Sequence, residues 1–360
     1  MDHLDKTLDR EIRGKLHFSE ALVKKMPECS RSAGLAKNKR FFMKIFFVWV
    51  VALFFVTSQP SIAQNWPTKA VRVIVPFAPG GGGDLTARPV SQKLSDSLGQ
   101  PFVIDNRGGA GSAIGMELTA KAPADGYTVM STSGSFSTAV ATHKFTFDAL
   151  DALIPVVEIG YAPNVLVVHP SLPVNNVAQL IRLSKARPGQ LVYGSTGIGG
   201  LTHLATVLMN SMAGIQWVHV PYKSTGAAMP EILAGQVQIM VAGMLGAQSF
   251  YTTGRLRALG VTTAKRWPRF PQIPAIAETI PGYDTGTYYG MFVPKGTPLP
   301  IIHRLNLEVN KALQDPLITS TLEANGMLAS GGSPSNFDQR VRKEYLEWVK
   351  VVKAFNLAVD

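Results

Sequence analysis

Beyond residue 66 the apolar residues fall into short runs, typified by Val-Arg-Val-Ile-Val at 71–75, separated by stretches in which they recur three or four positions apart. The runs predict strands and the spaced stretches predict helices. The predicted strands cover 71–75, 102–105, 127–131, 165–169, 191–194, 217–221, 237–241, 257–262 and 288–293. Helices are predicted over 86–98, 113–121, 177–186, 201–212 and 227–233, and most of 301–356 reads as helix. Strand and helix alternate along the chain, which is what a βα-type, largely parallel sheet requires, so the class is α/β.

The first predicted strand stops in Pro76-Phe77-Ala78-Pro79, four glycines (80–83) and Asp84 before a helix. Glycines admit positive φ and close approach, because no Cβ stands in the way. Their amides, with the partial positive charge of a helix start behind them, suit a carboxylate or phosphate. A phosphate loop would need Gly-Lys-Ser/Thr, and Gly83 is followed by Asp84 and Leu85; a dinucleotide loop would need G-x-G-x-x-G spacing, which the run lacks. A purely structural turn stays open. Two more predicted strands close on hydroxyl- and glycine-rich turns, Ser131 to Ser135 and Gly194 to Gly200. In open α/β sheets ligands gather at the carboxyl ends of the strands, so these turns are expected to face one space. Taken singly, each Ser or Thr could equally cap the helix after it.

Composition changes this picture in two places. Of the 35 basic and 24 acidic residues, 1–63 hold 11 and 6, so the formal charge of +11 divides into +5 in the leader and +6 in the body. That body charge is too diffuse for a nucleic-acid surface. The leader carries an apolar run at 45–56 preceded by Lys37, Lys39, Arg40 and Lys44 and followed by Ser61-Ile62-Ala63, the pattern of a secretory signal. Twelve residues rise about 18 Å as a helix, short of a hydrocarbon core of about 30 Å, so a retained anchor is the weaker alternative. The expectation is a signal peptide over 43–63, cleaved between Ala63 and Gln64, with 1–42 a non-native or untranslated extension. Cys29, the only cysteine, lies in that leader, leaving the body without thiol or disulfide chemistry. The body's histidines (143, 169, 203, 219, 303) stand one to a segment, with no metal-ligand spacing and no G-x-S-x-G elbow, so no cofactor is expected and a hydrolase is the remote alternative.

The succession Pro76-Phe77-Ala78-Pro79-Gly80-Gly81 with Asp84, Asp105-Asn106-Arg107 before Gly109-Ala110-Gly111, and Ala124-Asp125-Gly126-Tyr127-Thr128 resembles the Bug family. These are the periplasmic substrate-binding receptors of tripartite tricarboxylate transporters. The likeness continues through Pro163 to Val168, Tyr193 to His203, His219 to Lys223, Leu233 to Gln238, Leu256 to Leu259 and Pro281-Gly282-Tyr283 to Pro294-Lys295-Gly296-Thr297-Pro298, essentially the whole body. The resemblance implies a two-lobed, periplasmic-binding-protein-like clamshell, each lobe a mostly parallel sheet flanked by helices. Lobe 1 would be 66–164 plus 288–360 and lobe 2 165–287, with the chain crossing near 164–167 and 288–292. It also implies a monomer that holds a small carboxylate by amides and hydroxyls, closes on it, and delivers it to integral-membrane transporter subunits. A receptor passing its closed form to a signalling partner is the alternative.

On the matching positions the ligand would be met by Phe77, Gly80, Gly81 and Asp84 in the first loop and by Ser133 and Gly134 in the third. In the second lobe Ser195, Thr196, Gly197, Gly199, Thr202 and His203 would meet it, with Tyr222 as a wall. A carboxylate beside an anionic guest is unfavourable, so Asp84 is expected to shape its loop instead; His203 could donate to the guest or simply sit in its helix. Three departures from the family pattern stand out. Pro89 predicts a helix that starts after Asp84 or kinks. Gly200 replaces a frequent Ser, and Ala242-Gly243 replaces a frequent Asp-Asn, which favours a guest less polar than an amino acid.

Overall fold

The computed structural model describes residues 66–324 and 326–355; the expected signal, its cleavage site and the extension lie outside the described residues. Two sheets organise the chain. The first has the order β11-β4-β10-β3-β1-β2, with β1 Val71–Val75, β2 Phe102–Asn106, β3 Thr128–Ser133, β4 Leu153–Ala162, β10 Thr287–Pro294 and β11 Leu328–Ala329. The second has the order β7-β6-β8-β5-β9, with β5 Asn164–Val168, β6 Val192–Ser195, β7 Val218–Pro221, β8 Ile239–Gly243 and β9 Arg257–Val261. The chain passes from the first sheet to the second at Pro163, between β4 and β5, and returns between β9 and β10.

Both sheets are mixed. β1 to β4 run one way while β10 and β11 oppose them, and β6 to β9 run one way while β5 opposes them. The strand that enters each sheet from the other body therefore opposes the majority. Covered on both faces, β5, β8 and β10 are buried along their whole length, as continuous apolar strands in helix-covered sheets are.

The helices that matter here are α1 Gly82–Leu98, α2 Ala113–Ala120, α3 Ser135–Thr142, α4 Ala149–Ala152, α5 Val177–Ala186, α6 Leu201–Ala213, α7 Thr225–Leu233 and α8 Met244–Thr252, all but α4 following a strand. The C-terminal part adds α9 Leu299–Ala312, α10 Pro316–Ala324 and α11 Pro334–Phe355. Near its start α11 packs Phe337 against Tyr288 and Phe292 of the first sheet; near its end Trp348 and Val352 pack on Leu201 and Leu204 of α6, which belongs to the second body.

Four features differ from the sequence-based expectation. α1 begins at Gly82, ahead of Asp84, and runs through Pro89. Pro89 is half-buried on the outer side, where water can take the Leu85 carbonyl that its missing N–H leaves free. β4 went unpredicted because Pro155 and Gly160 interrupt its apolar run, and both are tolerated beside the register shifts where β4 meets β10. α3 and α8 went unpredicted because neither shows an alternation of faces, α3 being rich in hydroxyls and α8 opening on Met244, Leu245, Gly246 and Ala247, all buried. Among the described residues no helix is long and apolar enough to cross a membrane.

Candidate functional site

Five helices begin at one place. The first turns of α1 (Gly82, Gly83), α3 (Ser135), α6 (Leu201, Thr202) and α7 (Thr225), with the cap residues Gly81, Ser224 and Gly243, line a cavity of about 30 Å³. α8 is the fifth helix, with Gly243 as its cap. The walls are completed by Phe77, Ser133, Asn164, Thr196, Thr287 and Tyr289, and no charged side chain is among them. A space of that size holds one or two waters, so anything larger enters only as the two bodies separate.

The caps decide what this space prefers. Four of the five helices start from a glycine, Gly81, Gly134, Gly200 and Gly243, and none of these four has a side-chain cap. Only α7 has one, Ser224, whose hydroxyl accepts from the Ala227 amide at 3.1 Å. A helix start leaves its first amides without intrahelical partners and carries a partial positive charge of about half a unit. A glycine cap contributes no oxygen to satisfy them. The result is a small space toward which positive helix ends point and whose walls carry no charged side chain.

Around the cavity the two bodies touch. The Ala78 amide donates to the Lys223 carbonyl at 3.3 Å and the Leu201 amide to Ser135 Oγ at 3.4 Å. Gly111 comes so close to the loop before α6 that a Cβ on it would stand 2.5 Å from both the Ile198 carbonyl oxygen and the Gly200 nitrogen. The segment that makes this approach has positive φ at four successive residues, Gly109 (143°), Ala110 (47°), Gly111 (58°) and Ser112 (96°). For Ala110 and Ser112 that conformation costs roughly 1–2 kcal/mol each, strain held where the bodies meet.

Of the residues expected at the site, the structure brings Phe77, Gly81, Ser133, Thr196 and Thr202 to the cavity. The others stand elsewhere. Gly80 has φ 77° and gives its amide to Asp84 Oδ2 at 3.1 Å. Asp84 is buried and also accepts from Arg88 Nε (2.8 Å) and Asn106 Nδ2 (3.0 Å). Burial pushes the Asp84 carboxyl up, but the bonds from Arg88, Asn106 and Gly80 outweigh it and hold the group below its ordinary value. Asp84 thus braces the loop from behind. Gly134 makes room for another residue: a Cβ there would stand 2.5 Å from Glu344 Oε1 on α11. Gly197 lies against Gly111 of the other body, and Gly199 against His143 and Thr142. Tyr222 turns its hydroxyl to Glu231 and its ring to Gly194.

Ser195, buried, and the half-buried His203 and His219 belong to one stack. The Ser195 hydroxyl accepts from the Gly197 amide (3.1 Å) and pairs with His219 Nε2 (2.7 Å), while the His203 and His219 rings stack at 4.3 Å. Ser195 is 0% exposed and does not line the cavity, so this Ser-His contact faces no substrate. His203 Nδ1 accepts the Gly199 amide at 3.3 Å, which fixes the unprotonated nitrogen toward the loop. Burial pushes both imidazoles down to about 4, with His203 adding to the effect on His219. A free histidine titrates near 6.5, so between about 6.5 and 4 the unfolded chain binds protons that the folded chain refuses. Stability contributed by the neutral pair is therefore complete above about pH 6.5 and is lost as pH falls toward 4. The melting temperature is expected to drop across that window, and His219→Gln to flatten the drop; an unchanged slope in the variant would count against the assignment.

Ten wall residues were not among those expected to meet the ligand, Gly82, Gly83, Ser135, Asn164, Leu201, Ser224, Thr225, Gly243, Thr287 and Tyr289, although the first three belong to turns expected to face this space. Ser224-Thr225-Gly226 after β7 repeats the strand, hydroxyl, glycine, helix order of the other turns and was findable by the same reasoning. Thr287 and Tyr289 carry no local signal, because they come from the middle of the sheet.

Comparison with known proteins agrees with this architecture. A family model described as "Tripartite tricarboxylate transporter family receptor" matches residues 86–357. The chain is 34% identical over 311 residues to Protein BugT of Bordetella pertussis, covering 84% of this chain and 95% of that one. Among solved structures it is similar to R. palustris Rpa4515 with adipate (37% identity, TM-score 0.78, 81% of this chain and 99% of that one). It is also similar to MatC of Rhodopseudomonas palustris with bound malate (29% identity, TM-score 0.77, 80% and 100%). Matched over most of its length, the chain belongs to the tripartite tricarboxylate transporter receptor family, the Bug-type periplasmic solute-binding proteins.

Proposed function

We propose that this protein is exported to the periplasm, captures one small organic acid as its carboxylate between the two bodies, and delivers it unchanged to integral-membrane subunits of a tripartite tricarboxylate-type transporter, acting as a monomer. The observation that carries this reading is the convergence of five helix starts, four of them glycine-capped, on a cavity with no charged side chain. Such a site stabilises an anion by fixed amides and dipoles, and it offers a cationic guest no counter-charge. The adipate and malate held by the two structural relatives support the same class of guest. Contacts come from both bodies, so the closed form binds more tightly and gains population as the guest is added.

The test is calorimetry on residues 64–360 with a panel of mono-, di- and tricarboxylates, aromatic acids and the amino acids aspartate and glutamate. Binding of at least one carboxylate is expected, with the deaminated acid favoured over its amino acid and the guest recovered intact by NMR. Failure of every acid to bind, or chemical conversion of one, would overturn the proposal.

A further inference from the structure

Glu344 is an acid of α11 that takes no part in lining the cavity, yet it reaches the back of the third loop. Its Oε1 would stand 2.5 Å from a Cβ on Gly134, the glycine that caps α3. The residues on either side of that glycine, Ser133 and Ser135, line the cavity. So does Thr287, whose Oγ1 would stand 3.0 Å from the same Cβ. The Glu344 carboxyl therefore lies directly behind the cavity wall. Its Oε1 is sealed from water and has no hydrogen-bond partner among the described residues. Buried polar atoms are nearly always paired, and a bare oxygen on an ionised carboxylate is a costly exception.

The charges around Glu344 do not offset that cost. On its own helix Arg340 gives Nη1 to both carboxylate oxygens of Glu158 on β4, at 2.9 and 3.2 Å, and lays its guanidinium over the Tyr161 ring at 4.5 Å. Lys343 is exposed and approaches Glu347 at 4.0 Å. Glu347 and Glu158 add negative charge, and Asp284 lines the same groove beside α11. Tyr161 of β4 and Tyr288 of β10 face the acid as phenols that burial keeps un-ionised. Burial pushes the Glu344 carboxyl up to about 8, against the downward pull of Arg340 and of a hydrogen bond with Trp348.

We infer that Glu344 is a proton site coupled to capture: it is uncharged while the carboxylate guest is held, and its ionisation weakens the hold. The inference rests on the capture reading above and adds to it a second ligand, one proton, kept behind the start of α3. A carboxylate among the helix starts and another behind Gly134 repel each other, and a proton on Glu344 removes the repulsion. Coupling is reciprocal, so the guest raises the proton affinity of Glu344 by the factor by which the proton raises the affinity for the guest.

The experiment is calorimetry from pH 6.5 to 9.5, starting with adipate and malate and continuing through the acid panel until one binds. Each pH is run in two buffers of different ionisation enthalpy, so that the difference in heat counts the protons taken up. The acid's own carboxyls are ionised throughout this range, and His203 and His219, held near 4, are neutral throughout it. Coupling of about tenfold predicts uptake of about half a proton between pH 8.5 and 9, and an affinity about tenfold lower at pH 9.5 than at pH 7. Glu344→Gln, equal in shape and unable to ionise, should take up no proton and bind as well at pH 9.5 as at pH 7. The wild-type proton count stands whether or not the variant folds. Affinity flat to pH 9.5 with no uptake, or a Glu344→Gln that keeps both the uptake and the fall, overturns the inference and leaves capture intact. Failure of every acid to bind at any of these pH values overturns capture and the inference together.

Discussion

Replacing Thr225 by aspartate is expected to abolish capture of a carboxylate while leaving the protein folded. Thr225 is the first residue of α7 and lines the cavity, 3% exposed. Aspartate has nearly the same volume, can still accept the Gly243 amide that Thr225 Oγ1 accepts at 3.4 Å, and is favoured at a helix start. No cation among the wall residues is there to neutralise it. Two carboxylates about 4 Å apart at an effective dielectric of about 20 repel by about 4 kcal/mol, or about a thousandfold in affinity. Thr225→Asn, equal in shape and uncharged, should stay within about tenfold of the wild type. Calorimetry on both variants with the acid that binds the wild type separates charge from shape. Wild-type affinity in the aspartate variant would mean that the guest's acid group does not lie among these helix starts.

Gly111→Ala is expected to prevent closure. A Cβ at 111 would meet the Ile198 oxygen and the Gly200 nitrogen at 2.5 Å, and these are backbone atoms that no rotamer change can move aside. Its φ of 58° adds about 1–2 kcal/mol of strain in the folded protein whether or not a guest is present. If the clash lowers the closed population to about one part in a hundred, apparent affinity falls about a hundredfold. Small-angle scattering should show the wild type shrinking on addition of the acid and the alanine variant staying at its unliganded radius. An alanine variant that contracts as the wild type does would show that 111 lies off the path of closure.

The alternation of strands with helices was legible because burial of a central strand enforces an apolar run that composition reveals directly. The glycine turns after β1 and β6 were legible as helix starts facing a common space, since topology alone places them there. What sequence could not separate was the role of neighbours. Ser195 and Thr196 are adjacent hydroxyls in one turn, yet the first is sealed in a histidine stack and only the second reaches the cavity. Gly80 and Gly81 are adjacent glycines, yet one binds the bracing carboxylate of Asp84 and the other caps α1. Those assignments depend on which way a peptide turns, and that is settled by contacts far away in sequence. Tyr289 shows the same limit, since its strand is buried throughout and only pairing with β3 and β4 brings its hydroxyl between the two bodies.

The far end of α11 constrains how the mouth can open. The helix is rooted in the first sheet through Phe337, and its Trp348 and Val352 are seated on Leu201 and Leu204 of the opposite half. Drawing the halves straight apart would strip that indole and its aliphatic neighbours into water, at a cost of about 25 cal/mol for each Å² uncovered. A swing that pivots on the indole avoids the exposure. If the halves open, the gape is expected to be a rotation with a fixed heel, wide at the glycine lips and narrow at the tryptophan, its amplitude limited by how far α11 can tilt before the heel lifts.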